Sequence, residues 1–240
     1  MSKIYEALKK AEQDRERTRV RAPRPSSPSA VPDQEHGTDE DYQKLRASLV
    51  SIAVPSGLHT ILVAAPRHGE GATTVGIGLA NALAKERDSR VLLLEGNLRT
   101  PSLSSVLPLA MDSGLTDFIA GRAAPEALMV RLDGLGFSVI AAGAASSQPM
   151  DFDLMESLLA RLRPQFDFIV IDGPPINSYA DASILATKVD GVILVVEADR
   201  TPVSDAEMAK RQLDKVGARI LGVVLNRRRS YIPAFLESIL

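Results

Sequence analysis

The residues best suited to chemistry lie in one run, Leu62-Val63-Ala64-Ala65-Pro66-Arg67-His68-Gly69-Glu70-Gly71-Ala72-Thr73-Thr74. It begins as a β-rich stretch, turns through two glycines and enters a helical pattern. Such a turn points successive backbone N–H groups at a phosphate, and the positive N-terminal end of the helix that follows adds to the attraction. Gly69, Glu70, Gly71, Ala72, Thr73 and Thr74 are the residues expected to line a nucleotide phosphate, with the Thr73 hydroxyl placed to ligate Mg²⁺. One position departs from this chemistry. The residue before the two threonines would be a lysine reaching the β- and γ-phosphates, and here it is Ala72. ATP or ADP with Mg²⁺ is therefore the expected cofactor, with binding weakened or absent. A dinucleotide fingerprint would need glycine at Thr74, although Glu95 stands where a ribose-binding acid would. A tight strand-to-helix turn that binds nothing is the other alternative. Arg67 and His68 read as solvated loop side chains.

These residues need a scaffold, and the sequence describes one. From Asp39 onward, short β-rich runs alternate with helical patterns. Strands are expected near Thr60-Ala64, Arg90-Leu94, Phe137-Ala141, Phe168-Asp172, Val192-Val196 and Arg219-Leu225. Helices are expected near Thr73-Arg87, Phe152-Arg163, Ala180-Lys188 and Pro202-Val216. Continuous apolar strands such as Ile169-Val170-Ile171 suit burial on both faces. Alternating strands and helices imply an α/β fold with a mostly parallel sheet and helices on both faces.

The flanks differ. Ser2 can cap a helix reaching about residue 17, with Ile4, Leu8 and Ala11 on one face. Residues 18–38 hold Pro23, Pro25, Pro28 and Pro32 and read as a flexible linker, leaving 39–240 as the folded domain. At the other end, Tyr231, Phe235, Leu236, Ile239 and Leu240 follow Arg227-Arg228-Arg229. They read either as a basic amphipathic anchor or as a helix packed on its own sheet.

With 240 residues, 45% hydrophobic and 24% charged, the chain is ordinary for a soluble protein. A formal charge of -2 gives no field for nucleic acid or anionic membrane, and cysteine is absent. No apolar run is long enough to span a bilayer, and residues 1–21 lack the apolar centre of a signal peptide. A cytoplasmic protein is the expectation.

Further segments carry a resemblance. Leu92-Leu93-Leu94-Glu95-Gly96-Asn97-Leu98-Arg99-Thr100-Pro101-Ser102-Leu103 is similar to the second Walker motif of bacterial tyrosine kinases, I-D-A-D-L-R-R-P-S-L. Phe166-Asp167-Phe168-Ile169-Val170-Ile171-Asp172-Gly173-Pro174-Pro175 resembles their Walker B segment, and the glycine loop resembles their G-E-G-K-[ST]-T. Glu40, Gln43 and Arg46 resemble the E-x-x-R-x-x-R oligomerisation element, with Gln43 at one arginine. Ser2–Ala11 is similar to the start of stand-alone members from exopolysaccharide systems, and Gly114-Leu115-Thr116-Asp117 and Gly222-Val223-Val224-Leu225-Asn226 also fit.

The resemblance implies a P-loop NTPase-type domain that transfers phosphate from ATP·Mg²⁺ to its own tyrosines. It implies homo-oligomers or hetero-oligomers of related subunits, and work beside a membrane polysaccharide co-polymerase at the inner face of the plasma membrane. Thr73 and Asp172 match its metal site, and Asp172 and Glu95 its catalytic carboxylates. The departures cluster: Ala72 for lysine, Glu95 and Asn97 for two aspartates, and a lone Tyr231 for a tyrosine cluster. The expectation is a degenerate kinase-like regulator or scaffold. The alternatives are an active autokinase or ATPase, and a membrane-positioning ATPase of the septum-site or partition kind.

Overall fold

The computed structural model describes residues 38–109, 113–132, 134–146 and 150–228. The expected N-terminal helix, residues 18–37 of the expected linker and the segment from Arg229 onward lie outside the described residues.

The first described element is a helix, α1 (Asp39–Ser56). Its 18 residues carry the Glu40–Gln43–Arg46 motif and lie outside the helices expected from the sequence. Its signals are local. The Thr38 side chain accepts from the Asp41 amide while the Asp41 carboxylate accepts from the Thr38 amide, closing a capping box. Gly57 ends it in the left-handed conformation at φ 63°.

Among the described residues the seven strands are β1 (Thr60–Ala64), β2 (Val91–Glu95), β3 (Val130–Leu132), β4 (Phe137–Ile140), β5 (Phe168–Asp172), β6 (Gly191–Glu197) and β7 (Ile220–Asn226). They form one sheet in the order β3-β4-β2-β5-β1-β6-β7. Every pairing is parallel except β3 with β4, which is an antiparallel addition at one edge. β3 was not foreseen, since three residues carry too short a pattern to read. The helices between strands are α2 (Ala72–Ala84), α3 (Leu103–Val106), α4 (Leu115–Ile119), α5 (Phe152–Leu162), α6 (Ala180–Ala186) and α7 (Val203–Lys215).

Both faces of the central strands are covered, and the core is two apolar layers. Leu49 of α1 and Val75, Leu79 and Leu83 of α2 pack over Ile61, Val63, Leu93 and Val170. On the opposite face Leu158, Leu162, Leu185, Ala209 and Leu213 pack over Leu62, Leu92, Ile171 and Leu194. This double burial is why the central strands are continuously apolar.

The lower rim is fixed by one carboxylate. Asp190 accepts from the amides of His59 (2.9 Å) and Thr60 (2.7 Å) and pairs with Arg163 (2.9 Å). The candidate functional residues gather at the opposite rim, where β1, β2 and β5 end.

Candidate functional site

The loop between β1 and α2 takes the shape its glycines allow. Gly69 and Gly71 have φ of 85° and 94°, a region that disfavours other residues. At Gly71 a Cβ would also lie 2.0 Å from Asn226 Nδ2. That nitrogen donates to the Glu70 carbonyl (2.9 Å), and Arg227 donates to the Gly69 carbonyl (3.1 Å), so the end of β7 holds the loop. Glu70 is buried and folds inward. Its carboxylate accepts from the Arg67 amide (2.9 Å) and from the Thr201 hydroxyl (2.7 Å). Arg67 itself is half-exposed and pairs with Asp205, while His68 is exposed. The amides of Ala72, Thr73 and Thr74 open α2 and have no acceptor within the helix, which makes them available to an anion.

Thr73 sits at the centre of a small cluster. Its hydroxyl donates to Asp172 Oδ2 (2.8 Å) and lies 2.9 Å from Ser102 Oγ. Asp172 ends β5 and is fully buried, and its Oδ1 has no hydrogen-bond partner. Burial pushes this carboxyl up to about 7, the Thr73 bond pulls it down, and the nearby Glu95 carboxylate adds to the rise. A buried carboxylate oxygen without a partner, beside a threonine hydroxyl and a helix N-terminus, suits a hard divalent cation such as Mg²⁺. Thr73 and Asp172 are the residues that would hold it.

Glu95, the other expected catalytic carboxylate, and Asn97, a departure from the motif, have different partners. Glu95 is buried at the end of β2, and Oε1 accepts from the amides of Ser102 and Leu103, the latter at 2.8 Å. Its Oε2 accepts from the Ala142 amide (2.8 Å). Three backbone bonds therefore occupy this carboxylate, which ties the first turn of α3 and the exit of β4 to β2. Asn97 closes its own turn, donating to the Thr100 carbonyl (3.0 Å) and accepting from the Thr100 amide (3.2 Å). Arg99 pairs with Asp181 (2.8 Å) and lies over the Tyr179 ring at 4.9 Å.

Ser102, Thr201 and Asn226 reach the loop without having been singled out in the sequence. Asn226 and Ser102 fall inside matched motifs, which was a usable signal. Thr201 had none, because only the fold brings the end of β6 beside Glu70.

Glu40, Gln43 and Arg46 lie on α1, away from this cluster in the chain. Arg46 donates to Gln43 Oε1 (3.0 Å) and pairs with Glu86 of the same chain, while Glu40 pairs with Lys44 (2.8 Å) on an exposed face.

Comparison with known proteins agrees with this geometry. The family model described as "ParA: NUBPL iron-transfer P-loop NTPase" matches residues 58–237. The tyrosine-protein kinase CpsD of Streptococcus pneumoniae serotype 4 is 32% identical over 174 residues, covering 71% of this chain and 76% of that one. The kinase domain of VpsO is 29% identical with a TM-score of 0.71, covering 80% of this chain and 96% of that one. The septum site-determining protein MinD of Pyrococcus horikoshii, solved with Mg-ADP, is 26% identical with a TM-score of 0.61, over 75% and 76% of the two chains. With a parallel sheet, a glycine loop and a threonine–aspartate pair at its rim, the chain belongs to the ParA-type P-loop NTPases and to the bacterial tyrosine-protein kinase family.

Proposed function

We propose that this protein is a degenerate member of its kinase family that acts by binding, as a regulator or scaffold in exopolysaccharide or capsule assembly. Its partner would be a membrane polysaccharide co-polymerase, which would recruit it to the inner face of the plasma membrane. Among the described residues no helix is long and apolar enough to cross a membrane.

The observation that carries this reading is how the charged groups are spent. At the position of the phosphate lysine stands Ala72, with no charge to offer. Glu95 is committed to three backbone amides and Asn97 to its turn. Asp172 is left as the one carboxylate bonded to Thr73. A charge-assisted bond to phosphate contributes about 1.5–3 kcal/mol, roughly ten- to 150-fold in affinity. Loss of such a donor in the transition state typically costs about 10²–10³ in rate. Binding tolerates the first loss better than catalysis tolerates the second, and Asn97 cannot act as a general base.

Nucleotide with Mg²⁺ would still find loop amides, Thr73 and Asp172. The likeness to a MinD protein solved with Mg-ADP supports that location. Calorimetric titration with ATP and ADP, with and without Mg²⁺, tests the reading. The native protein is expected to bind in the millimolar range or not at all, and Ala72→Lys to tighten binding at least tenfold. Micromolar binding by the native protein, with phosphotransfer lost in Asp172→Ala, would favour an active autokinase instead.

A further inference from the structure

β7 is the last strand of the sheet and leaves two large apolar side chains in solvent. Val223 is 61% exposed and Leu225 is 56% exposed. Their register fixes the face they occupy. Val223 pairs with Leu194 and Leu225 with Val196, both in the apolar layer that contains Ala209 and Leu213 of α7. Alternate strand residues face opposite ways. Accordingly Val224 joins the other layer, under α1 and α2, and Leu221 joins it too because the β6–β7 register shifts between Val192 and Ile193. On the face beside α7, Ile220 is packed against the core while Val223 and Leu225 are open.

The chain itself supplies a cover of the right kind. It leaves β7 at Asn226 and reaches Tyr231 five residues later, a tether of up to about 17 Å when extended. From there Tyr231, Phe235, Leu236, Ile239 and Leu240 recur at helical spacing, with Ala234 and Glu237 on the other side. Ten helical residues span about 15 Å, against about 23 Å for the seven residues of β7. Two side chains offer far less than the roughly 800 Å² per partner of a stable interface between copies. They are enough for a tethered segment, whose local concentration is high.

We propose that residues 231–240 of the same chain cover Val223 and Leu225 on the face of β7 beside α7. The root of this segment bears on the functional loop. Asn226 and Arg227, which start the tether, are the residues bonded to the Glu70 and Gly69 carbonyls. A docked segment would anchor that junction from its far side.

The chain has no cysteine, so engineered pairs report without background. Val223→Cys would be combined in the full chain with Phe235→Cys, Ile239→Cys or, as the control on the other side, Glu237→Cys. Under mild oxidation the first two pairs are expected to close within the monomer, several-fold faster than the control. A second measurement does not depend on those variants folding. The chain ended after Arg229 should bind an apolar dye several-fold more than the full chain. Disulfides that form only between molecules would assign the face to a second copy. Phosphatidylglycerol vesicles that sediment the full chain and abolish closure would assign the segment to a lipid surface. Equal closure rates for all three pairs, or equal dye binding by the full and shortened chains, would overturn the proposal.

Discussion

At the residue scale, Asp172 and Glu95 are both buried carboxyls at strand ends, and their hydrogen-bond partners differ. Glu95 accepts three backbone N–H groups, so both of its oxygens are partnered. Asp172 has one hydroxyl donor and one oxygen without a partner, so burial favours its neutral form. The folded-state value of about 7 lies above the ordinary 3.8. Between these values the native state holds a proton that the unfolded chain has released. The associated stability is complete below about pH 4 and is lost as pH rises through about 7. Asp172→Asn keeps the acceptor for Thr73 and removes the charge. It should therefore be more stable than the native protein at pH 8, by on the order of 3 kcal/mol, and nearly equal at pH 4. Urea unfolding at the two pH values measures this. Glu95→Gln has the opposite expectation. It turns an amide NH₂ toward backbone donors and should cost about 2–4 kcal/mol in the same assay.

At the element scale, α1 depends on a close approach to α2. A Cβ at Gly78 would lie 2.2 Å from the Tyr42 ring, so the helices meet where one side chain is missing. Burial raises the Tyr42 hydroxyl above its ordinary value, in keeping with a ring packed between helices. Gly78→Ala should displace Tyr42, cost about 1–3 kcal/mol, and speed amide exchange in α1 before the sheet. Hydrogen-exchange mass spectrometry localises the effect. Uniform acceleration across the sheet would show that α1 and the sheet unfold as one unit.

At the scale of the whole molecule, α1 carries the residues of the expected oligomerisation element. Arg46 is held by Gln43 and Glu86 of its own chain, which leaves Glu40 as the more exposed member of the expected oligomerisation element. An exposed pair such as Glu40–Lys44 contributes at most about 1 kcal/mol to stability. If α1 joins subunits, Glu40→Lys should shift the protein toward monomer in sedimentation velocity while leaving its melting temperature nearly unchanged. A fall in melting temperature without a change in mass would assign Glu40 to the fold alone.

The sequence by itself determined the class of fold and singled out the candidate glycine loop. Apolar runs such as Ile169-Val170-Ile171 carry their burial in their composition, and the glycine loop carries its turn in residue types that tolerate positive φ. That Ala72 and Asn97 carry no charge was equally legible, because an uncharged residue type needs no structure to be noticed. Tertiary structure decided what the remaining polar groups do. The resemblance made Glu95 a catalytic carboxylate by motif position, and its oxygens meet amides at residues 102, 103 and 142, one of them 47 residues away. Ser102 meets Thr73 across 29 residues, and Thr201 meets Glu70 across 131. Hydrogen bonds act over about 3 Å whatever the separation along the chain, so their partners become known only when the strands are laid side by side.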